Sequence, residues 1–183
     1  CAVVPVAGNQ VTNDIAKIFR TPSSHAEQIK VQFACARSSM VSREDSIEVP
    51  SVGGRPSQSM SRHTLTEVVE PRYQELFELV LKELKDSGLE DQIAAGIVLT
   101  GGTASIQGVV DIAEATFGMP VRVASPLPIK GLYEHVDQSV YSTGVGLLHY
   151  GARRVIERQC ERPERQGVTS AWNRVQSWFK GEF

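Results

Sequence analysis

Two adjacent glycines follow a short apolar run in the second half of the chain, and residues of these types could bring backbone against a ligand. Gly101 and Gly102 stand between the run Ile97–Leu99 and a helix predicted at about Gln107–Phe117. Without a Cβ atom, glycine lets another group approach the backbone closely. The N-terminus of the following helix suits phosphate or ribose oxygens. The segment has neither GxGxxG nor P-loop spacing, so a tight turn without a ligand remains an open alternative.

A carboxylate and an ammonium group share one face of an earlier predicted helix. Glu27 and Lys30 are three positions apart in the helix expected from His25 to about Ala36, so their side chains are neighbours on its surface. Glu27 also fits the last position of a capping box that begins at Ser24. One carboxylate cannot fill both roles, and the residues alone leave the choice open.

The last fifteen residues, 169–183, predict a short amphipathic helix that lies on a membrane. Its apolar face contains both tryptophans of the chain and comprises Ala171, Trp172, Val175, Trp178 and Phe179. Indole rings suit the bilayer interface, where the apolar body points inward and the N–H toward the headgroups. The run is far shorter than the roughly 20 residues that a spanning helix needs. Docking of this helix on its own domain or in a partner's groove is the alternative.

Composition excludes several classes of protein. The chain has 183 residues, 41% of them hydrophobic, and a net charge of −2, so it can form one domain with a core but offers no basic surface for nucleic acid. Its three cysteines and four histidines form no CxxC or Cys–His cluster, which predicts reduced cytoplasmic thiols and no metal site. There is no signal peptide or membrane span. Because the chain begins with Cys1 and not with Met, we expect it to be the C-terminal part of something longer.

Helices and short strands alternate along the chain, which predicts the α/β class. Apolar runs and turn signals predict strands at Ala2–Val6, Ile47–Val49, Ile97–Leu99 and Val121–Val123, the third of them covered on both faces. Helices are expected at Thr12–Phe19, His25–Ala36, Thr64–Lys85 and Gln107–Phe117, and a last one from Ser142 or Thr143 to about Tyr150.

The longest predicted helix carries a core stripe and an internal proline. A capping box at Thr64–Glu67 marks its start, and Pro71 should kink it or begin a new helix. Its apolar stripe consists of Tyr73, Leu76, Phe77, Val80 and Leu84. The Gly/Pro/Ser-rich segment Val52–Arg62 before it is predicted to be a loop.

Several motifs resemble a known family. GIVLTGGTASIQG, VRVASPL and YSTGVGLLHYG are similar to the adenosine and second connecting motifs of the actin/Hsp70/sugar-kinase ATPase superfamily. More narrowly, the chain resembles the FtsA family of bacterial actin-like cell-division proteins. Seven segments match its pattern in order: PVAGNQVTNDIA, AEQIKV, VPSVGGRP, EPRYQELF, AAGIVLTGG, STGVGLLHYG and the terminal SWFKGEF.

The resemblance implies a lobe of an actin-like (ribonuclease H-like) ATPase fold with an inserted α+β subdomain. The implied parts are a first piece of subdomain 2A at 1–22, the inserted subdomain 2B at 23–92, the second piece of 2A at 93–151, a charged linker at 152–168, flexible or partly helical, and the membrane-targeting helix at 169–183. The first lobe, with its phosphate loops, is expected to be missing from this chain.

The resemblance also implies ATP as the cofactor, with Mg²⁺ held mainly by the missing N-terminal half. The implied cofactor-binding residues are Glu27 and Lys30 at the ribose and purine, Gly101 and Gly102 at the adenosine and α-phosphate, and Thr103 and Ser105 as hydrogen-bonding groups nearby. No catalytic residue is assigned, and this part alone is not expected to hydrolyse ATP. Whether the intact protein does so is left open.

In function, the resemblance implies a cell-division membrane adaptor. Such a protein tethers filaments of FtsZ, by binding the FtsZ C-terminal tail, to the cytoplasmic face of the bacterial inner membrane at the division septum. It also polymerises and meets other divisome proteins. Implied contacts are Arg62, Arg72 and Glu75 for the FtsZ tail, and Trp172, Val175, Trp178 and Phe179 for the anionic membrane surface. Gln58 stands where relatives have a basic residue, which leaves the strength of self-association open. The alternative is another actin-like ATPase, such as a pilus-assembly adaptor, a chaperone or a sugar-kinase relative, whose terminal helix docks on protein.

Overall fold

A computed structural model describes residues 1–50, 56–93, 95–127 and 136–160. The chain forms two units, residues 1–142 and residues 143–183. The described helices and strands are, in order, α1 (Gly8–Ile18), α2 (Ser23–Phe33), β1 (Ser46–Val49), β2 (Gln58–Ser61), α3 (Arg62–Asp86), β3 (Ile97–Leu99), α4 (Val109–Phe117), β4 (Val121–Val123) and α5 (Ser142–Cys160). The mixture of helices with short strands confirms the α/β class.

The long helix α3 packs at the centre of the first unit. Its apolar residues recur every four positions, so they form one stripe that packs against α1 and α4. Tyr73 and Phe77 of the predicted stripe are buried, and Leu76 and Val80 pack partly buried against the same core, whereas Leu84 is only half-buried. The helix continues through Pro71. The predicted stripe is therefore confirmed, and a fresh helix start at the proline is wrong.

The predicted capping boxes do not form. Helix α3 begins two residues before Thr64, and Ser61 caps it by accepting the His63 N–H. Helix α2 begins at Ser23 after Pro22, with no side-chain cap, because the Glu27 carboxylate bonds to other side chains. Helix α3 thus begins at a local cap upstream of the predicted one, whereas in α2 other side chains bind the carboxylate that the predicted capping box needed.

Two small sheets flank these helices. Strands β1 and β2 pair antiparallel, with Ser46 opposite Ser61, so β2 occupies part of the segment that was expected to be a loop. That expectation is wrong for Gln58–Ser61, since a serine-rich segment gains its ladder hydrogen bonds from β1 and not from its own β-propensity. Ile47 of β1 is buried, as its predicted strand requires.

Strands β3 and β4 pair parallel, with Ile97 opposite Val121, as the sequence predicted for both strands. The expected double cover of β3 is wrong, because Val98 is 51% exposed. Residues 2–6, expected as a strand, have no strand conformation. Among the described residues, no strand lies beside them to supply ladder hydrogen bonds, so their apolar character alone cannot make a strand.

The last described helix is longer than expected. Helix α5 starts at Ser142, as predicted, but runs to Cys160 and not to Tyr150, so the first part of the predicted linker is helical. Within it, Arg153 pairs with Glu157, and the Arg154 guanidinium lies over the Tyr150 ring, 5.3 Å from its centroid. Such contacts one turn apart extend a charged helix. The assignment of residues to subdomains 2A and 2B stays a prediction.

Candidate functional site

The two adjacent glycines form a turn whose shape only glycine tolerates. Gly101 has φ +96° and ψ 169°, a backbone region closed to residues with a Cβ atom. A 3₁₀ turn follows at Gly102–Ser105. A Cβ atom on Gly102 would lie 3.3 Å from the Val140 side chain, so this glycine also relieves a tight contact. The prediction that this segment turns tightly is confirmed.

Ser139 locks this turn from one side. Its carbonyl accepts the Gly101 N–H at 3.1 Å, and its hydroxyl donates to the Gly101 carbonyl at 3.0 Å. The hydroxyl also lies 2.8 Å from that of Ser105. Ser139 is buried. Both backbone groups of Gly101 are therefore satisfied by one residue, and the Ser105 hydroxyl is oriented by the same contact.

Tyr73 supports the turn from the core side. Its hydroxyl donates to the Thr103 carbonyl at 3.0 Å, while its ring is buried beside Phe77. Burial raises the pKa of Tyr73 well above its ordinary value, and the hydrogen bond to Thr103 only partly opposes this. The phenol therefore stays a neutral hydrogen-bond donor at physiological pH.

The N-terminus of α1 faces the turn at close range. A Cβ atom on Gly8 would lie 2.3 Å from the Thr103 methyl carbon, so the first residue of this helix must be glycine. The Gln10 side chain accepts the Ala7 N–H at 3.0 Å, outside the helix. No side chain in the described part of the protein caps the first-turn N–H groups of α1, which makes this N-terminus a favourable place for an anion.

Glu27 and Lys30 meet in the structure, with Thr12 between them. Lys30 is 4% exposed, and its Nζ atom donates to Glu27 Oε2 at 2.7 Å, Thr12 Oγ1 at 2.9 Å and the Gly8 carbonyl at 3.2 Å. Thr12 in turn donates to Glu27 Oε2. All three ammonium N–H bonds are thus used within the protein. Lys30 fixes the carboxylate and holds α2 to the start of α1.

The carboxylate of Glu27 remains available on one side. Its side chain is 48% exposed, and both of the hydrogen bonds that it accepts from other described residues go to Oε2. Burial raises the pKa of Glu27, but hydrogen bonds from Lys30 and Thr12 and the charge of Lys30 outweigh burial and hold the pKa below its ordinary value. Glu27 is therefore ionised at neutral pH, and Oε1 can accept hydrogen bonds from a ligand's hydroxyl groups.

These groups line one cavity of about 550 Å³, within the range of small-molecule sites. Five of the six residues that were predicted to bind a cofactor lie on its wall: Glu27, Lys30, Gly102, Thr103 and Ser105. The sixth, Gly101, is next to them in the chain. The remaining wall comes from residues that sequence reasoning missed: Ala7, Gly8, Asn9, Val31, Ile106, Gln138 and Val140.

A signal in the sequence could have found some of the missed residues. Gly8 and Thr12 lie one helical turn apart at the start of a helix, a spacing that places a glycine and a hydroxyl on the same face. Nothing comparable marks Ser139, which reaches the turn across nearly forty residues through both its backbone carbonyl and its hydroxyl. In chemical terms, the cavity offers an ionised carboxylate, hydroxyl groups and helix N–H donors, a set that suits a ribose and a phosphate.

The residues predicted to hold a partner's tail lie on α3 but do not form one cluster. Arg72 binds the Asp14 carboxylate with Nη2 at 2.7 Å and also contacts Glu75. The hydrogen bond with Asp14 raises the pKa of Arg72. These residues line a cavity of about 390 Å³ together with Glu67, Val68, Pro71 and Ile18. Arg62 lies ten residues earlier on the helix, about 15 Å away along its axis.

Arg62 is engaged in contacts within the unit. Its Nε atom donates to the Phe33 carbonyl at 2.8 Å, and Nη2 donates to Gln107 Oε1 at 2.9 Å. Asp45 lies 3.9 Å from Nη1. The guanidinium therefore satisfies the end of α2 and joins it to the segment before α4.

The predicted membrane face, Trp172, Val175, Trp178 and Phe179, lies outside the described residues. Within residues 1–50, 56–93, 95–127 and 136–160, no helix is long and apolar enough to cross a bilayer. The same residues bring together no group of three or more His, Cys, Asp or Glu side chains with the spacing of a metal site.

Comparison with known proteins gives a consistent result. The model of the family "Cell division protein FtsA" matches residues 1–146. The chain is 48% identical over 188 residues to the cell division protein FtsA of Pseudomonas aeruginosa and 47% identical over 190 residues to that of Escherichia coli K12. It is covered completely or to 99% in these matches, and it spans 45% of the length of each relative.

Solved structures share the fold at low sequence identity. MreB5 of Spiroplasma citri bound to ADP superimposes with a TM-score of 0.64, at 20% identity, over 87% of this chain and 48% of that one. The same protein bound to AMPPNP gives a TM-score of 0.58 over 85% of this chain. This likeness confirms an actin-like fold.

Proposed function

The chain belongs to the FtsA family of cell division proteins, and on that premise we propose that it forms the ATP-binding and FtsZ-binding part of a cell-division membrane adaptor. The observation that carries the proposal is the cavity in which the Gly101–Gly102 turn faces the Glu27–Lys30 pair. The proposed protein tethers FtsZ filaments to the cytoplasmic face of the inner membrane at the septum. It also self-associates and meets other divisome proteins there.

ATP fits the donor set of the cavity. Glu27 Oε1 would accept hydrogen bonds from the ribose hydroxyls, because Lys30 and Thr12 occupy only Oε2. The turn at Gly101 and the N-terminus of α1 would contact the phosphate side through backbone N–H groups. Lys30 would act indirectly, by keeping Glu27 ionised and in place. Bound ATP would supply the γ-phosphate that distinguishes two states of the protein, and Mg²⁺ would be held mainly outside this chain.

Nucleotide titration tests the proposal. Isothermal titration with ADP should give saturable binding, and 2′-deoxy-ADP should bind more weakly because it lacks one hydroxyl for Glu27. Glu27→Gln should weaken ADP binding about tenfold, the effect of one charge-assisted hydrogen bond, and should narrow the difference between ADP and 2′-deoxy-ADP. Glu83→Gln, at an exposed position of α3, is the matched control. Failure of the wild-type protein to bind either nucleotide would contradict the proposal.

The FtsZ tail is proposed to dock in the groove around Arg72 and Glu75. Because Asp14 and Glu75 already bond the Arg72 guanidinium, an acidic tail has to share it or displace a carboxylate. We therefore expect modest affinity for the isolated tail peptide. In fluorescence anisotropy, Arg72→Ala should abolish binding, whereas Glu75→Ala should tighten binding of an acidic peptide by removing a competing carboxylate. Glu78→Ala, one turn further along, should change nothing.

Membrane attachment is proposed for the terminal segment and rests on the sequence alone. Flotation with anionic vesicles should carry the chain upward, and a version that ends at Gln166 should stay in the soluble fraction. Moderate salt should weaken binding only partly, because insertion of Trp172, Trp178 and Phe179 contributes more than the charge. If both versions stay in the soluble fraction, this segment docks on protein instead, and flotation of both would contradict its role as the membrane anchor.

A further inference from the structure

Tyr73 stands between the core and the turn that lines the cavity. It is 3% exposed, its ring lies 6.1 Å from that of Phe77, and its hydroxyl donates to the Thr103 carbonyl at 3.0 Å. Phe77 in turn lies edge-on to Phe117 at 5.6 Å. The aromatic cluster holds the ring, so the hydroxyl presents its proton at a fixed place.

Thr103 links the Tyr73 hydroxyl to two walls of the cavity, the glycine turn and the start of α1. Its methyl group packs against the first residue of α1, Gly8, where a Cβ atom could not fit. Among the residues that the structure describes, its carbonyl otherwise accepts only a long hydrogen bond from the Ile106 N–H, with 3.4 Å between nitrogen and oxygen. A small rotation of this peptide would therefore change the spacing between the glycine turn and the N-terminus of α1.

We propose that Tyr73 is a positioning residue of the nucleotide site: its hydroxyl fixes the Thr103 peptide so that the turn and the start of α1 stay at the separation that a nucleotide requires. The inference rests on the proposed nucleotide binding. Tyr73 touches no ligand in this account. It acts through Thr103, and Ser139 anchors the opposite end of the same turn through Gly101.

Removal of the hydroxyl tests the role. In the full-length protein, Tyr73→Phe should raise the Kd for ADP about tenfold while the circular dichroism spectrum stays that of the wild type. Phe77→Leu is the matched control, because it loosens the same aromatic cluster but leaves the hydroxyl and its acceptor in place. It should lower the melting temperature as much or more, yet leave the Kd within about twofold when measured below both melting transitions. Incorporation of 4-aminophenylalanine at position 73, which restores an N–H donor, should recover most of the affinity.

The outcomes separate the possible failures. No ADP binding by the wild-type protein defeats the proposed function itself. Wild-type binding that Tyr73→Phe leaves unchanged, or that Phe77→Leu weakens equally, overturns the positioning role. Should Tyr73→Phe not fold, hydrogen exchange of the wild-type protein decides the question. Amides 103–106 must then exchange as slowly as those of the central turns of α3, and exchange at the rate of an unsupported turn would overturn the inference.

Discussion

Replacement of Lys30 by methionine should expose how the protein holds Glu27 ionised at the cavity wall. Lys30 is buried and donates to three acceptors, so Lys30→Met removes a charge and takes one donor each from Glu27, from Thr12 Oγ1 and from the Gly8 carbonyl, which keeps the Thr12 hydroxyl as a partner. Loss of the buried ammonium group, which donates to two neutral acceptors and to one carboxylate, should lower the free energy of unfolding by about 2–3 kcal/mol. The figure stays below that of a fully buried pair because water still reaches Glu27, whose side chain is 48% exposed.

The coupling between the two charges follows from their separation. At 2.7 Å the gross attraction is between about 1.5 kcal/mol with the dielectric constant of water and about 6 kcal/mol with that of a protein surface. Desolvation of Lys30 and the exposure of Glu27 reduce this, and we expect a net coupling of about 1–2 kcal/mol. A double-mutant cycle of Lys30→Met with Glu27→Gln measures it by urea unfolding at pH 7. Lys82→Met, at an exposed site of α3, is the control and should change stability by less than about 0.5 kcal/mol.

The pH dependence has a definite sign. Because the folded protein lowers the pKa of Glu27 below 4.5, the pair stabilises the fold above that pH, and the contribution is lost as the pH falls through the folded pKa. In Lys30→Met, burial still raises the pKa of Glu27 and only the hydrogen bond from Thr12 opposes it, so this pKa should lie above that in the wild-type protein and acidification should cost the variant less stability. The stability gap between wild type and variant should therefore shrink from pH 7 to about pH 4. A coupling below about 0.3 kcal/mol, or a gap that widens on acidification, would refute the reasoning.

Three further substitutions probe the turn and its supports. Gly101→Ala forces a Cβ atom into a backbone region near φ +96°, so it should lower the free energy of unfolding by about 2–3 kcal/mol and weaken ADP binding. Gly118→Ala is the control, because Gly118 lies in open space at a left-handed helix end; it should lower the free energy of unfolding by about 1 kcal/mol and leave ADP binding unchanged. Thermal melts measure the stabilities, and titrations measure the binding. Ser139→Ala removes a hydroxyl that contacts Gly101 and should weaken ADP binding by threefold to tenfold in the same titration, with unchanged binding as the contradicting result. Arg62→Met breaks the bonds that join α2 to the segment before α4, so calorimetry should show a melting temperature lower by about 2–8 °C, and an unchanged value would mean that the contacts are not held in solution.

Sequence reasoning succeeded where local pattern and final structure agree. The apolar spacing of α3 predicted its buried face because packing of that face is what stabilises a helix. The glycine turn was predicted because two adjacent glycines follow an apolar run and glycine can adopt conformations that other residues avoid. Gly101 does adopt such a conformation. The pairing of Glu27 with Lys30 followed from helical spacing, and the structure brings both to the same cavity as the turn.

Several failures share a physical cause, which is that contacts outside the local pattern decided the outcome. The Ser24 capping box did not form because Thr12 and Lys30 took the Glu27 carboxylate. Strand β2 arose in a serine-rich segment because β1 supplied its partner. The anchoring by Ser139 could not be predicted, since no local signal marks a residue that acts across nearly forty positions.

The most direct test of the central claim is a crystal structure of the protein with ADP. The nucleotide should occupy the cavity between α1, α2 and the glycine turn, with its ribose hydroxyls hydrogen-bonded to Glu27 Oε1 and the turn at Gly101–Gly102 against the adenosine and α-phosphate. Lys30 should keep its contacts with Glu27 Oε2 and Thr12. A nucleotide bound elsewhere, or one in this cavity that does not touch Glu27, would contradict the account.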